Sequence, residues 1–320
     1  RWNLDEEQFF LPLKKAVSHA AFKVSYSLTG DRGPAGVTNS NAIISSYNPF
    51  RPFTSVQESG LKLYQLENSE LTYEKKHELN LGLDLGFLDN RINGSVDLYN
   101  KNSSDLLMEM QTPLELGSYS GAVVSNVGKV NNKGIEVQLN TNNVRTKDWN
   151  WTTSFSFARN INSIRELNGG KEDLVGNKWF IGSPIDVVYG YKYTGVCTRE
   201  EAQAMAQDPN IKTKFYEGEM KIYDKTGDGV IDANDKMILG HCAPTWTGSF
   251  VSNLTYKNWD LSLNIYTSQG GTVYSPFMGE FTDYSQRGMQ RLNIDYYIPE
   301  GVPTLAEDGS ISTTTSTHYG

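Results

Sequence analysis

Apolar and polar side chains alternate along most of this chain with a period of two, the mark of β-strands rather than helices. Phe22, Val24, Tyr26 and Leu28 enclose Lys23, Ser25 and Ser27. Leu79, Leu81, Leu83, Leu85 and Phe87 enclose Asn80, Gly82, Asp84 and Gly86. Ile92, Val96 and Leu98 continue the pattern, and Ile135, Val137 and Leu139 repeat it. Tryptophans open three later runs: Trp149, Trp151, Phe155, Phe157; then Trp246, Phe250, Leu254, Tyr256; then Trp259, Leu261, Leu263, Ile265. The pattern predicts seven strands, near 22–29, 77–88, 91–103, 134–142, 149–161, 245–256 and 259–268. Several match the ~9–11 residues of a tilted transmembrane strand. Helical spacing is confined to Asp5–Ala21, where Phe9, Phe10, Leu13 and Val17 predict a short helix, and to the helix-like composition of Thr198–Asp208.

The connections narrow the fold. Two are tight, Asp89-Asn90 and Lys257-Asn258, and Asn143–Asp148 is of medium length. Asp31–Asn68, Gln111–Lys133 and Asn162–Pro244 are long and polar. Soluble sandwiches turn every ~8–12 residues; outer-membrane barrels alternate short periplasmic turns with long extracellular loops. With both tight turns on one side, strand direction alternates only if residues 162–244 form a single extracellular loop. The strand-like Val187–Tyr193 is then structure within that loop, not a membrane crossing. Asn93-Gly94 is ordinarily a hairpin signal, but it falls inside a run, and Asp89-Asn90 explains the reversal. The fold class is therefore all-β: part of a large antiparallel transmembrane β-barrel of the outer-membrane type, with long extracellular loops.

Composition agrees. The chain has 320 residues, a net charge of −8, 38% hydrophobic and 12% aromatic residues. The apolar share lies below the ~45–50% of globular proteins while aromatics are plentiful, as expected where one strand face is wet and the rims carry aromatic girdles. Acidic balance without a basic stripe excludes nucleic acid as a partner. No apolar run reaches the ~20 residues of a spanning helix, which says nothing about a barrel. The chain opens at Arg1-Trp2-Asn3 without a charged and apolar leader, so it reads as a chain that has lost its signal or as an internal stretch of a longer one. Cys197 and Cys242 lie in the same irregular region, and both a loop-stapling bridge and two free thiols remain open.

One motif carries chemistry. Residues 224–235 place Asp224, Thr226, Asp228 and Asp232 at the first, third, fifth and ninth positions of an EF-hand-type calcium loop. Gly229 takes the sixth, where the chain turns sharply, the Val230 carbonyl would serve at the seventh, and Asp235 replaces the usual Glu at the twelfth. The loop is expected to hold a structural calcium ion, with the shorter Asp235 weakening the site; the alternative is an acidic turn that binds nothing. His19, His77, His241 and His318 show no ligand spacing. A Ser-centred elbow, P-loop and dinucleotide fingerprint are all missing, so no enzyme is expected. Trp179, Phe180, Tyr189, Tyr191, Tyr193, Tyr274, Phe277, Phe281, Tyr284, Tyr296 and Tyr297 fall in loops, where such rings either pack the loops or present a binding surface.

Leu81–Leu107 (LGLDLGFLDNRINGSVDLYNKNSSDLL) resembles a barrel hairpin of SusC/RagA-type TonB-dependent transporters of Bacteroidetes. Asn126–Leu139 (NVGKVNNKGIEVQL), Gly182–Gly195 (GSPIDVVYGYKYTG), the aspartate loop running into ILG, PTWTGSF at 244–250 and YKNWDLSLNIY at 256–266 are similar to the same family, in its order. The resemblance implies a TonB-energised outer-membrane transporter with about 22 strands around a plug. It implies a SusD-like surface lipoprotein as partner, oligosaccharides or peptides as substrate, and contact with TonB through a segment not in this chain. The resemblance also implies that these seven strands are part of the carboxy-terminal half of the barrel; plug, TonB-contacting segment and closing strand are not found, so the chain is expected to be a fragment. A calcium-stabilised surface adhesin or carbohydrate-binding β-protein is the alternative. The discriminator is the apolar strand face, which a barrel turns to lipid and a sandwich buries.

Overall fold

The computed structural model describes residues 1–32, 43–47, 60–113, 115, 121–277, 297–298, 304–305 and 311–312. The strands in chain order are β1 (Trp2–Asn3), β2 (Val17–Asp31), β3 (Ile43–Tyr47), β4 (Gly60–Gln65), β5 (Glu74–Phe87), β6 (Ile92–Gln111), β7 (Ala122–Arg145) and β8 (Trp149–Glu166). They continue with β9 (Val187–Gly190), β10 (Tyr193–Val196), β11 (Met220–Ile222), β12 (Met237–His241), β13 (Trp246–Tyr256) and β14 (Trp259–Gln269); the helix α1 spans Arg199–Gln207. Eight strands form one antiparallel meander in the order β1-β2-β5-β6-β7-β8-β13-β14. Each of the seven alternating runs lies within one of its long strands. The chain divides into two units, residues 1–185 with 243–271, and residues 186–242 with 272–320.

Register decides what each face carries. One row reads Ala20, Leu85, Gly94, Leu139, Phe155, Phe250, Ile265. The next reads Phe22, Leu83, Val96, Val137, Phe157, Gly248, Thr267. Alternate positions give Ser25, Asn80, Tyr99, Gly134, Asn160 and, nearby, Asp84, Ser95, Gln138, Ser156, Ser249, Tyr266. One face is thus apolar and the other polar. The apolar face is open: Leu98 is 47% exposed, Phe155 43%, Leu261 65% and Ile265 51%. A sandwich would have buried these side chains, each worth about 1.5–3 kcal/mol when removed from water, so the adhesin-like sandwich is not what this sheet builds.

Aromatic rings bracket the apolar band. Trp149 and Tyr256 stack at 4.1 Å near the tight turns, and Phe157 and Trp246 meet at 5.8 Å near the other end. The eleven residues of β13 run from one pair to the other; at about 3.4 Å per residue and a tilt of ~40° they rise roughly 26 Å, close to the ~25 Å lipid band of an outer-membrane barrel. The turns at Leu88–Asn90, Thr146–Asp148 and Lys257-Asn258 all fall at one end of the meander. Leu88, Asp89 and Asn90 take left-handed φ of 54°, 53° and 61°. Gly94 pairs with Leu85 and Leu139 in mid-strand, so Asn93-Gly94 is no turn.

Three boundaries differ from the sequence reading. The helix expected over Asp5–Ala21 is instead two 3-10 turns, Leu4–Glu6 and Gln8–Leu13, the second carrying Pro12, and β2 already begins at Val17. Proline removes a helical amide, while Ala20 and Ala21 are small buried residues, Ala21 paired with Asn3 of β1, and they gave no alternation signal. The polar stretch Gln111–Lys133 is largely strand: Leu106–Gln111 pairs with Ala122–Gly128. β8 likewise runs to Glu166, past the loop start expected at Asn162. Apolar residues in the extended pairing of β6 and β7 fall at consecutive positions, as in Leu106-Leu107-Met108 and Val123-Val124, and the register shifts between Ser103 and Leu107, so the pairing leaves no period-two signature. Residues 43–47 and 60–65 form a hairpin within the connection expected at Asp31–Asn68.

The second unit holds two small antiparallel pairs, β9 with β12 and β10 with β11. Val187–Gly190 therefore belongs to no strand of the main sheet. α1 forms where its composition suggested: Thr198 Oγ1 accepts from Glu201 N–H at 3.3 Å, and the Glu201 carboxylate accepts from Thr198 N–H at 2.9 Å. Thr198→Ala removes half of this capping box and is expected to destabilise α1 by about 1 kcal/mol. Hydrogen exchange of amides 199–202 should then quicken roughly fivefold, with the main sheet unchanged.

Candidate functional site

The polar face of the meander carries paired charges and amides at regular spacing. Lys23 on β2 lies 2.7 Å from Asp84 on β5 and 3.5 Å from Asp97 on β6. Lys101 approaches Glu78 at 3.8 Å, and Tyr99 donates to Asn160 Oδ1 at 3.0 Å. Ser156 and Ser249 hydroxyls are 2.6 Å apart, and Ser262 donates to Asn253 at 2.7 Å. Half-exposed ion pairs such as these stabilise a fold by about 0–1 kcal/mol each. Their consequence is a wet surface of exchangeable donors and acceptors. The sequence signalled these positions only as the polar members of each alternation; which of them meet depends on cross-strand register.

The aspartate loop is organised around one buried carboxylate. Asp235 is fully buried. Its Oδ1 accepts from the backbone N–H of Lys225 (2.9 Å) and Thr226 (3.2 Å) and from the Thr226 hydroxyl (3.2 Å), and Oδ2 accepts from Asp232 N–H at 2.8 Å. Asp224 accepts from Gly227 N–H and Gly229 N–H at 2.6 and 2.8 Å. Asp228 caps Val230 N–H, and Asp232 caps Asn234 N–H. Gly229 takes φ +76°, and a Cβ there would overlap the Asn210 carbonyl oxygen, so glycine is required. The Gly229 carbonyl in turn receives Lys212 and Thr213 N–H at 2.8 and 2.9 Å.

Calcium takes six to eight oxygens, and the oxygens of this loop are already in use as amide acceptors. The carboxylates are engaged with the loop's own amides, and among the described residues no three acidic, imidazole or thiol groups stand together as a metal site. The expected ligands Asp224, Thr226, Asp228, Val230, Asp232 and Asp235 all belong to this one hydrogen-bonded turn. No functional step is therefore routed through a metal.

The Asp232 amide, then those of Thr226 and Lys225, hold the Asp235 carboxyl below its usual range against the opposing effect of burial. A depressed carboxylate pKa contributes stability that is fully present above the unfolded value, about 3.9, and is lost as pH falls through the folded value. The loop is thus expected to persist at pH 5 and to open only in stronger acid. Asp235→Asn places an amide NH2 against these donors; deuterium exchange at Lys225, Thr226 and Asp232 should quicken tenfold or more.

The remaining candidates stand apart. Cys197 is buried, its thiol 3.5 Å from the Thr198 carbonyl and 3.6 Å from that of Phe215, and Cys242 is exposed; both are free. His19 contacts Asp5 at 3.0 Å and His77 contacts Tyr26 at 2.8 Å, on different residues of the sheet from one another. Among the loop aromatics, Tyr191 packs under Lys236 at 5.3 Å and Tyr297 donates to Glu217 at 2.9 Å, while Tyr193, Tyr274 and Phe277 are exposed. Phe281, Tyr284, Tyr296 and His318 lie outside the described residues.

Comparison with known proteins places this geometry. The family model described as TonB dependent receptor-like, beta-barrel matches residues 19–299. TonB-dependent receptor P26 of Formosa agariphila is 28% identical over 89% of this chain and 30% of its own length. TonB-dependent receptor SusC of Bacteroides thetaiotaomicron is 28% identical over 90% of this chain and 28% of its own length. The structure of the RagAB peptide importer in its open-open state shares the fold with TM-score 0.66 at 23% identity, over 84% of this chain and 28% of that one. The chain spans less than a third of the length of these relatives.

Proposed function

Because this chain belongs to the TonB-dependent receptor-like β-barrel family, we propose that it supplies about a third of an outer-membrane barrel that imports oligosaccharides or peptides. The observation that carries the reading is the two-faced meander: an exposed apolar band between aromatic rings outside, and paired charges, hydroxyls and amides inside. Among the described residues β14 has a single partner, and β2 has beyond β5 only the two residues of β1. Lipid does not tolerate unpaired edges, so the rest of the barrel would pair with both. On this reading the tight turns face the periplasm and the connections at 32–73, 112–121 and 167–245 face outward, the arrangement of outer-membrane barrels.

The polar wall neither breaks nor forms bonds in this proposal; it offers a solute a succession of replaceable hydrogen bonds. The outward loops, with exposed Tyr193, Tyr274 and Phe277, would shape the entrance and meet a SusD-like lipoprotein. Energy would reach the barrel from TonB through a segment outside this chain. The full-length protein, extracted from outer membranes in mild detergent, tests this: it is expected to bring down a lipoprotein together with a bound oligosaccharide or peptide, which mass spectrometry would identify. A protein that stays soluble without detergent would overturn the reading.

A further inference from the structure

Mid-strand carboxylates and the cations Lys133 and Arg159 lie on opposite faces. Glu78, Asp84, Asp97 and Glu136 belong to the polar face. The outward rows at the margin of the apolar band read Val24, Leu81, Leu98, Ile135, Arg159; Tyr26, Leu79, Asn100, Lys133, Ile161; and Leu28, His77, Asn102, Asn131, Ser163. No Asp or Glu occurs in these fifteen positions, although the whole chain carries −8. Lys133 and Arg159 are exposed and pair with no carboxylate among the described residues. Arg165, also exposed, reaches Asn131 Oδ1 at 3.5 Å.

Beside these cations stands a fixed amide cluster. Asn131 is buried, and its amide donates to Asn100 Oδ1 at 2.6 Å and Asn102 Oδ1 at 2.8 Å. A depression lined by Asn100, Asn102, Lys129, Asn131, Lys133 and Arg165 results, in which Lys129 is neutralised by Glu166 at 2.7 Å. On the same face Ile161 lies beside Lys133, and Leu98 and Ile135 lie one row lower, level with Arg159, where the apolar band begins. A basic shelf at the margin of an apolar wall, on the lipid side of a sheet, matches a molecule with an anionic head and hydrocarbon chains. We propose that this shelf binds the phosphorylated headgroup of a lipid in the outer leaflet, with Lys133, Arg159 and Arg165 on the phosphate and the acyl chains along Leu98, Ile135 and Ile161. The proposal rests on the outward placement of the long connections given above.

The test uses the full-length protein in nanodiscs, titrated with diphosphorylated lipid A, with the same lipid after phosphatase treatment, and with inorganic phosphate. The wild type is expected to bind the phosphorylated lipid and to lose it on dephosphorylation, while inorganic phosphate at equal concentration displaces nothing. Each of Lys133→Gln, Arg159→Gln and Arg165→Gln should weaken binding about fivefold, and Lys171→Gln should not. Equal binding by the triple variant, equal binding of the dephosphorylated lipid, or displacement by inorganic phosphate would each overturn the proposal. A peptide tag inserted after Gly176 separates the two levels of inference. Detection on intact cells together with unaltered lipid binding by the triple variant would sink the lipid site alone; detection only after permeabilisation would sink the sidedness as well.

Discussion

Arginine in place of Phe250 is expected to destabilise the folded barrel by about 2–4 kcal/mol, the cost of a cation facing lipid near the bilayer midplane. Phe250 sits mid-way along β13, between Phe155 and Ile265, on the exposed apolar face. The neighbouring Val251 pairs with Ser154 and Asn264 on the polar face. Val251→Arg should therefore cost less than about 1 kcal/mol, since the cation gains a wet surface. Composition alone would have ranked the two substitutions together, because both replace an apolar residue. Urea unfolding of the full-length protein in phospholipid vesicles separates them. Equal penalties at the two positions would mean that the faces have been misassigned.

The second large effect is steric. A Cβ on Gly134 would overlap the Tyr99 ring and lie 2.5 Å from the Arg159 carbonyl oxygen. Tyr99 covers the gap that Gly134 leaves, so the aromatic ring and the missing side chain make one packing unit across β6 and β7. Gly134→Ala is expected to cost about 1–3 kcal/mol through overpacking. Gly176→Ala, with nothing within 4 Å of its Cβ, should fall within about 0.5 kcal/mol of the parent. Adding Tyr99→Ala to Gly134→Ala should restore only part of the loss, because a side chain can be removed but the backbone oxygen of Arg159 cannot. Full recovery in the double variant would show that the ring alone set the penalty.

What the sequence revealed divides along physical lines. Where one face meets lipid, as at Phe250 or Leu139, alternation names both the strand and its outward side, and the tight turns followed from the spacing between runs. Where both faces are polar, as at Asn102–Ser104 and Asn131–Lys133, the same strands continue unseen, because backbone pairing leaves no trace in hydropathy. The start of β2 was hidden for a related reason: Ala20 and Ala21 are buried by close strand packing, not by size. The aspartate loop was legible as a motif but not as a mechanism. Spacing gives the order of Asp224, Asp228, Asp232 and Asp235, whereas the direction of each carboxylate is decided by which amides it caps. The contacts of Lys23 with Asp84 and Asp97 and the clustering of Lys133, Arg159 and Arg165 needed cross-strand register, which no single run contains.

The central claim is that β13 lies between lipid and a wet lumen. It is tested most directly by spin labels placed singly at each position from Trp246 to Tyr256 of the full-length protein in vesicles. Labels at 246, 248, 250, 252, 254 and 256 are predicted to collide with oxygen dissolved in lipid, and the intervening ones with a water-soluble nickel chelate. Accessibility that shows no period of two, or that favours the chelate at every position, would contradict it.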